Sequence, residues 1–142
     1  MEINFMLSGI KEAAGKFISE VSGKYLVFLF DGEMGAGKTT FIREICQLYD
    51  VAGNVSSPTF SIINQYNTST NRIIYHLDLY RLKDDEEAIR AGVEECLYSG
   101  EICFVEWPFK APLILPAGSA LVKITALPGG ERKLSVQAAD IG

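Results

Sequence analysis

The sequence predicts an α/β fold, a three-layer sandwich with a mixed, partly parallel sheet and a C-terminal β-hairpin. Short apolar or alternating runs alternate with segments of helical period, an order that produces a parallel sheet covered by helices. A glycine-rich stretch, GEMGAGKTT at 32–40, stands between one such strand and one such helix. Near the C-terminus, the alternating runs ALVKITAL and RKLSVQA flank the turn sequence PGGE. This arrangement predicts the terminal hairpin.

The first half of the chain predicts two helices around one buried strand. Apolar residues recur at helical spacing from 7 to 21, and Ser8 is a suitable N-cap for that helix. The run YLVFLF at 25–30 lacks helical period and predicts a buried strand. A second helix should end near the turn signal Gly53-Asn54, and its apolar face consists of Phe41, Ile42, Ile45, Leu48 and Tyr49.

The middle of the chain predicts a hairpin and a short helix. The hairpin consists of an alternating strand at 60–66, the turn TSTNR and the returning strand RIIYHLDLYR. The charged segment KDDEEAIRAG indicates a short exposed helix, capped by Asp84 or Asp85 and ending near Gly92. The apolar run ICFVEW then predicts another buried strand, and FKAPLILPAG a connection broken by prolines.

Length and composition predict a single domain covering residues 1–142. The chain is 48% hydrophobic, enough for a continuous core, and no apolar stretch reaches the length of a membrane span. The N-terminus has no basic region before an apolar core, so we expect no signal peptide and a cytoplasmic location. Cys46, Cys96 and Cys103 form no C-x-x-C pair, and we expect them to be buried thiols.

The net charge of −5 argues against a protein that holds nucleic acid unaided. Phosphate neutralisation by basic side chains supplies most of the affinity in such proteins. If RNA is involved, another protein should hold it.

The glycine-rich stretch contains the pattern G-x-x-x-x-G-K-[ST], which predicts a phosphate-binding loop and a P-loop NTPase-like fold. Glycines let the backbone curl so that successive N–H groups point at an anion at the head of a helix. Lys38 is expected to reach the β and γ oxygens, and the Thr39 hydroxyl to ligate a Mg²⁺ that bridges the phosphates. The predicted nucleotide contacts in this stretch are Gly35, Ala36, Gly37, Lys38, Thr39 and Thr40.

A phosphate loop needs a carboxylate that holds or orients the hydrated Mg²⁺, usually at the end of a neighbouring buried strand. Two residues meet this requirement, Asp78 after IIYHL and Glu106 after ICFV. Either could instead be a solvated charge where a strand leaves the sheet. The phosphate loop favours a functional role for at least one of them.

Four short motifs occur in a fixed order in this short chain: GEMGAGKTT, SPTF at 57–60, HLDLYR at 76–81 and EW at 106–107. In this combination the sequence resembles the bacterial TsaE family, the P-loop ATPases of tRNA threonylcarbamoyladenosine synthesis. The resemblance covers roughly the first 108 positions, and the last third matches only in its layout. It implies that ATP and Mg²⁺ are the cofactors.

The resemblance also implies roles for single residues. Lys38 would bind the phosphates, while Thr39 and Glu106 would ligate Mg²⁺. Asp78 would lie near the γ-phosphate and polarise or orient water. Thr59 would belong to a switch-like loop. Lys38, Asp78 and Glu106 are therefore the predicted catalytic residues.

Other implied contacts lie outside the central motifs. Ser8, at the start of the first helix, and Arg132, in the last hairpin, would contact the nucleotide. Trp107, the sole tryptophan, would form part of the surface that a partner protein recognises. The implied partners are the TsaD and TsaB type subunits that make and transfer the threonylcarbamoyl group, with tRNA contacted only through them. Hydrolysis would be slow alone and stimulated by these partners.

Four residues in or near the motifs also have simpler interpretations. His76 is expected to be a hydrogen-bonded structural histidine rather than a catalyst, because a single imidazole is weak evidence for proton transfer. Tyr80 and Arg81 could close the strand end, and Arg81 could equally face a phosphate or a partner. Thr59 could be an ordinary turn residue after Pro58.

Three other functions compete with an ATPase. A GTPase should carry an [NT]-K-x-D guanine-reading motif, and the chain contains none. A small-molecule kinase normally needs a lid and an acceptor site with several arginines, and this short chain leaves little room for them. A nucleotide-dependent binding module that does not hydrolyse ATP would use the same Lys38, Thr39 and Glu106.

Overall fold

The computed structural model describes residues 1–33, 37–49 and 62–141. Within these ranges the helices are α1 (Ile10–Val21), α2 (Lys38–Leu48), α3 (Asp85–Ala91) and α4 (Val93–Leu97). The strands are β1 (Glu2–Phe5), β2 (Val27–Asp31), β3 (Ile63–Asn67), β4 (Ile73–Asp78), β5 (Ile102–Glu106), β6 (Ala120–Ala126) and β7 (Arg132–Ala138). None of the described helices is both long and apolar enough to cross a membrane.

The seven strands form one mixed sheet in the order β1-β7-β6-β2-β5-β4-β3. Its four central strands, β6, β2, β5 and β4, are parallel to one another. The outer pairs β1–β7, β6–β7 and β3–β4 are antiparallel. The predicted α/β fold, with its partly parallel sheet, central hairpin and C-terminal hairpin, is confirmed.

Helices and loops cover both faces of the sheet, which gives the three predicted layers. The first four residues of β2, Val27 to Phe30, are apolar and buried, as expected for a strand that is covered on both faces. Phe28 and Phe30 face the cluster that α1 and α2 complete with Phe17 and Phe41. The alternate β2 residues belong to a second cluster, together with α3, α4 and the proline-broken segment before β6. All three cysteines are buried free thiols, as expected.

The parallel strands bring the predicted carboxylates to one edge of the sheet. Asp78 is the last residue of β4 and stands directly beside Glu106, the last residue of β5. Glu106 in turn stands beside Phe30 on β2, whose chain continues through Gly32 toward α2. Ligand sites of α/β sheets lie at this carboxyl edge.

The start of the first helix differs from its prediction. Ser8 does not cap α1, since it lies in a short 3₁₀ helix, Leu7–Gly9. Gly9 occupies the N-cap position, and no side chain caps the helix. The 3₁₀ turn carries the chain from β1 into α1, so the helix begins two residues after Ser8.

The second helix is shorter than predicted. α2 ends at Leu48 with Tyr49 as its C-cap, before the turn signal at 53–54, which lies outside the described residues. Leu48 is exposed, and Cys46 takes the buried position on the apolar face. The switch-like loop with Thr59 also lies outside the described residues.

Two short elements were not predicted from the sequence. β1 pairs with β7, and its alternating burial shows the period of two that marks a strand with one covered face. α4 follows α3 after Gly92, which has a φ of 93° and ends the predicted helix. The predicted cap of α3 is confirmed, since Asp84 accepts a hydrogen bond from the Glu87 N–H.

Candidate active site

A cleft of about 340 Å³ lies at the carboxyl edge of the parallel strands. Of the residues predicted from the sequence, it brings together both carboxylates and the head of α2. The described residues that line it are Gly37, Lys38, Thr39, Thr40, Asp78, Tyr80, Glu106 and Trp107.

Gly37 gives the chain its turn into α2. Its φ of 99° lies in the left-handed region, which glycine adopts without strain. Lys38 and Thr39 therefore stand in the first turn, where backbone N–H groups have no partner within the helix. Such a helix start favours an anion.

The Lys38 ammonium group is held by two neutral partners. Its Nζ donates to the Gly32 carbonyl at 2.7 Å and lies 3.8 Å from the centre of the Trp107 ring. Lys38 is buried, and burial lowers the pKa of its amine, although the charges of Glu106 and two aspartates oppose this shift. A phosphate at the head of α2 would give this cation the anionic partner that a carbonyl and a ring do not supply.

Glu106 connects α2 to the sheet. Both of its carboxylate oxygens lie within hydrogen-bond distance of the Thr39 hydroxyl, at 2.8 and 2.9 Å. Its Oε2 also lies 2.7 Å from Nε2 of His76. Burial raises the pKa of the Glu106 carboxyl, but hydrogen bonds from His76 and Thr39 and the nearby charges outweigh burial and leave this pKa below its usual value.

Asp78 lies in a different environment from its neighbour Glu106. Its Oδ1 accepts the backbone N–H of Tyr80 at 3.1 Å. Burial, with a smaller contribution from the Glu106 charge, raises the pKa of the Asp78 carboxyl, and the hydrogen bond from Tyr80 only partly offsets this effect. The two carboxylates therefore have pKa values shifted in opposite directions, a pattern found where two acids have separate roles.

Trp107 forms one wall of the cleft because of an uncommon backbone conformation. It directly follows β5 with φ of 56° and ψ of 49°, in the left-handed region that bulky residues rarely adopt. Its ring packs on Tyr80, with 5.0 Å between ring centroids, and approaches the Lys38 amine. Strain of this kind is often found at functional sites.

The residues of this cleft fit a nucleotide with Mg²⁺. A hydroxyl and a carboxylate, Thr39 and Glu106, stand side by side, and Asp78 lies one strand away. Within the described residues there is no cluster of three or more metal-binding side chains. Mg²⁺ needs no such cluster, because it is usually bound by one or two protein oxygens, water and substrate phosphates.

Of the remaining predicted nucleotide contacts, one lies near the head of α2 and another does not line the cleft. Arg132 begins β7, and its Nε would lie 3.9 Å from a Cβ placed on Gly37, so this arginine is near the head of α2. Ser8 is exposed and is not among the described residues that line the cleft. Gly35 and Ala36 lie outside the described residues.

Sequence reasoning missed the partners of the motif residues. His76 is buried and hydrogen-bonded, as expected, but its bond to Glu106 was not foreseen. The sequence holds no signal for this bond, because it depends on the register between β4 and β5. The contact between Trp107 and Lys38 had no signal either, since it depends on the turn after β5.

A larger cleft of about 680 Å³ lies at the opposite edge, among the loops that precede β2, β5 and β6. Among its described lining residues only Lys24 and Glu101 are charged. Glu101 is already paired with Arg72 at 3.2 Å. Size alone would favour this cleft, but the converging charged groups identify the smaller one as the candidate active site.

The chain is similar to known proteins that share one name. Residues 8–134 match the family model described as "Threonylcarbamoyl adenosine biosynthesis protein TsaE". A protein of Haemophilus influenzae named tRNA threonylcarbamoyladenosine biosynthesis protein TsaE is 41% identical over 101 residues, 71% of this chain and 63% of the relative. A Treponema pallidum protein of the same name is 29% identical over 122 residues, 86% of each chain.

The chain thus spans about 63% of the length of the Haemophilus relative. Among solved structures, the crystal structure of YdiB from Bacillus subtilis superposes with a TM-score of 0.74 at 24% identity, covering all of this chain and 86% of the other. At that identity the superposition supports the fold alone. Because the family model matches most of the chain and the Haemophilus relative is 41% identical, the chain belongs to the TsaE family.

Proposed function

We propose that this protein is an ATPase that acts in threonylcarbamoyl modification of the adenosine beside the anticodon in tRNA. One observation carries the catalytic part: Lys38, Thr39, Asp78 and Glu106 converge at the head of α2. Family membership supports the pathway, since the relatives are named for tRNA threonylcarbamoyladenosine biosynthesis.

Each residue of the cleft has a defined task in this proposal. Lys38 exchanges the Gly32 carbonyl for β and γ phosphate oxygens and neutralises their charge. The Thr39 hydroxyl and the Glu106 carboxylate would hold Mg²⁺, which would supply positive charge to offset the charge that develops on the phosphates. Asp78, with its raised pKa, orients the attacking water and is suited to receive its proton.

The remaining part of the proposal is that the protein works through partners. The chain has a net charge of −5, which disfavours unaided tRNA binding. We propose the TsaD and TsaB type subunits as partners and the cytoplasm as the location. Trp107 and the half-exposed Tyr80 form an aromatic surface at the mouth of the cleft, the kind of surface that anchors protein contacts.

Reconstitution with the cognate partners, tRNA, threonine, bicarbonate and ATP tests this function. We expect slow ATP hydrolysis by the purified chain, faster hydrolysis with partners, and repeated cycles of tRNA modification only when the chain is present. Equal modification without the chain would contradict the pathway. If the tRNA is fully modified when this subunit is offered only a non-hydrolysable ATP analogue, the result would favour a nucleotide-dependent binding module that does not hydrolyse ATP.

The two carboxylates are expected to give different kinetic defects. Glu106→Gln should raise the Mg²⁺ concentration needed for half-maximal hydrolysis, because an amide is a poorer Mg²⁺ ligand than a carboxylate. Asp78→Asn should lower turnover and leave the Mg²⁺ requirement little changed, because it removes a proton acceptor. Rates measured across a Mg²⁺ titration distinguish the two effects, and the reverse pattern would exchange the two assignments.

A further inference from the structure

We infer that His76 is a positioning residue for Glu106, and that its Nε2–H fixes the carboxylate that the proposed function assigns to Mg²⁺. His76 does not line the cleft and would touch neither nucleotide nor ion. Its effect on the site would pass through Glu106. The expected effect on Mg²⁺ binding rests on the proposed function, whereas the hydrogen bond between His76 and Glu106 can be tested without any ligand.

The geometry makes the contact a fixed part of the sheet. His76 Nε2 and Glu106 Oε2 are 2.7 Å apart, and the two side chains are only 1% and 4% exposed. His76 stands opposite Phe104 on β5, two residues before Glu106, so both side chains point to the same face. Both residues lie on central parallel strands, whose backbones leave little freedom to move.

The contact restricts the orientation of the carboxylate. With Oε2 bound to His76, rotation of the carboxylate plane would break a short, buried hydrogen bond. The plane is therefore held where both oxygens face the Thr39 hydroxyl. Residues that orient a metal-binding carboxylate in this way commonly change metal affinity by about 10–100-fold when they are replaced.

The chemistry determines which nitrogen carries the proton. An ionised carboxylate can only accept, so Nε2 of His76 must be protonated. Among the described residues, neither the other nitrogen, Nδ1, nor Nδ2 of Asn64 has a hydrogen-bond partner, although both atoms are buried. Asn64 stands directly opposite His76 on β3. The Asn64 amide can donate to a bare Nδ1 or, after rotation, accept from a protonated one.

The protonation of His76 can be observed directly because it is the sole histidine of the chain. We expect long-range ¹H–¹⁵N spectra of ligand-free, tag-free protein to show a protonated Nε2. In Glu106→Ala the Nε2–H signal should shift or exchange rapidly with water. An unprotonated Nε2 in the unsubstituted protein, or an Nε2–H signal unaffected by Glu106→Ala, would overturn the inference.

Nucleotide affinity measured by calorimetry in Mg²⁺ and in EDTA tests the consequence. The Mg²⁺ effect is the nucleotide affinity in Mg²⁺ divided by the affinity in EDTA. We expect His76→Leu to reduce this ratio about tenfold, while the affinity in EDTA stays within about twofold of that of the unsubstituted protein. His76→Gln should recover most of the ratio, because its amide can still donate to Glu106. Ile74→Ala is the control: Ile74 is buried on the same face of β4, two residues earlier, so this variant loses core contacts without touching Glu106.

The outcomes separate this inference from the proposed function. No nucleotide binding, or no Mg²⁺ effect in the unsubstituted protein, would contradict the proposed function. A normal Mg²⁺ effect that His76→Leu leaves unchanged, or that Ile74→Ala reduces equally, would overturn the role of His76. If His76→Leu does not fold, His76→Gln and the spectra decide the question.

Discussion

Lys38→Ala is expected to abolish ATP hydrolysis and to weaken ATP binding by about 1.5–3 kcal/mol, roughly 10- to 150-fold. Lys38 is the only cationic side chain among the described residues that line the cleft. A charge-assisted bond to phosphate in a shielded site is stronger than one between neutral groups. Removing this lysine leaves the developing phosphate charge without its nearest protein cation.

The measurement should separate loss of the phosphate contact from loss of the fold. Lys38 is buried against Trp107, so its removal also takes away packing. A melting curve and calorimetry with ATP address these two effects. Lys123→Ala, an exposed lysine on β6, is the matched control and should bind and hydrolyse ATP normally. Normal hydrolysis by a folded Lys38→Ala variant would contradict the assignment of the phosphate loop.

Trp107→Ala is expected to remove most partner-stimulated hydrolysis while ATP affinity falls by no more than about tenfold, or 1.4 kcal/mol. The affinity loss has a physical reason, because the ring lies 3.8 Å from Lys38 Nζ. A cation–π contact contributes about 0.5–2 kcal/mol. Stimulation should fall further, since removing an aromatic anchor from a protein contact commonly costs about 2 kcal/mol or more.

Thermal stability separates this interpretation from a purely structural one. Trp107 is half-buried against the second core cluster, so Trp107→Ala should lower the melting temperature to some extent. Trp107→Phe keeps an aromatic ring there and should recover part of the stimulation. Tyr98→Ala removes an aromatic that is 60% exposed beyond α4, and should leave stimulation intact. Stimulation that survives in Trp107→Ala would exclude Trp107 as the coupling residue.

The sequence predicted the architecture well where local signals agree. The apolar run at the first four residues of β2 and the alternating C-terminal runs indicate their strands without knowledge of any neighbour. β1 was missed because four residues carry too little periodicity to identify a strand. Its pairing with β7 is a contact between the two ends of the chain. The Ser8 cap was wrong because Ser8 lies within a 3₁₀ turn that precedes α1, and helix boundaries depend on such turns.

The candidate site divides in the same way. The residue types of the motif predicted a phosphate-loop lysine and threonine, since few other sequences combine glycines, lysine and a hydroxyl at this spacing. Position at the end of an apolar run selected Asp78 and Glu106, but could not assign them different roles. That difference comes from neighbours: His76 and Thr39 bond Glu106 and lower its pKa, while burial raises the pKa of Asp78.

The sequence by itself determined the residue types of the site and the strand order along the chain that makes the sheet partly parallel. Only the tertiary structure decided which groups meet. His76 reaches Glu106 because β4 and β5 are adjacent in a fixed register, although they are separated by two helices along the chain. Trp107 reaches Lys38 because of one left-handed residue after β5. Periodicity describes a single element, whereas hydrogen bonds and pKa shifts depend on distances between elements.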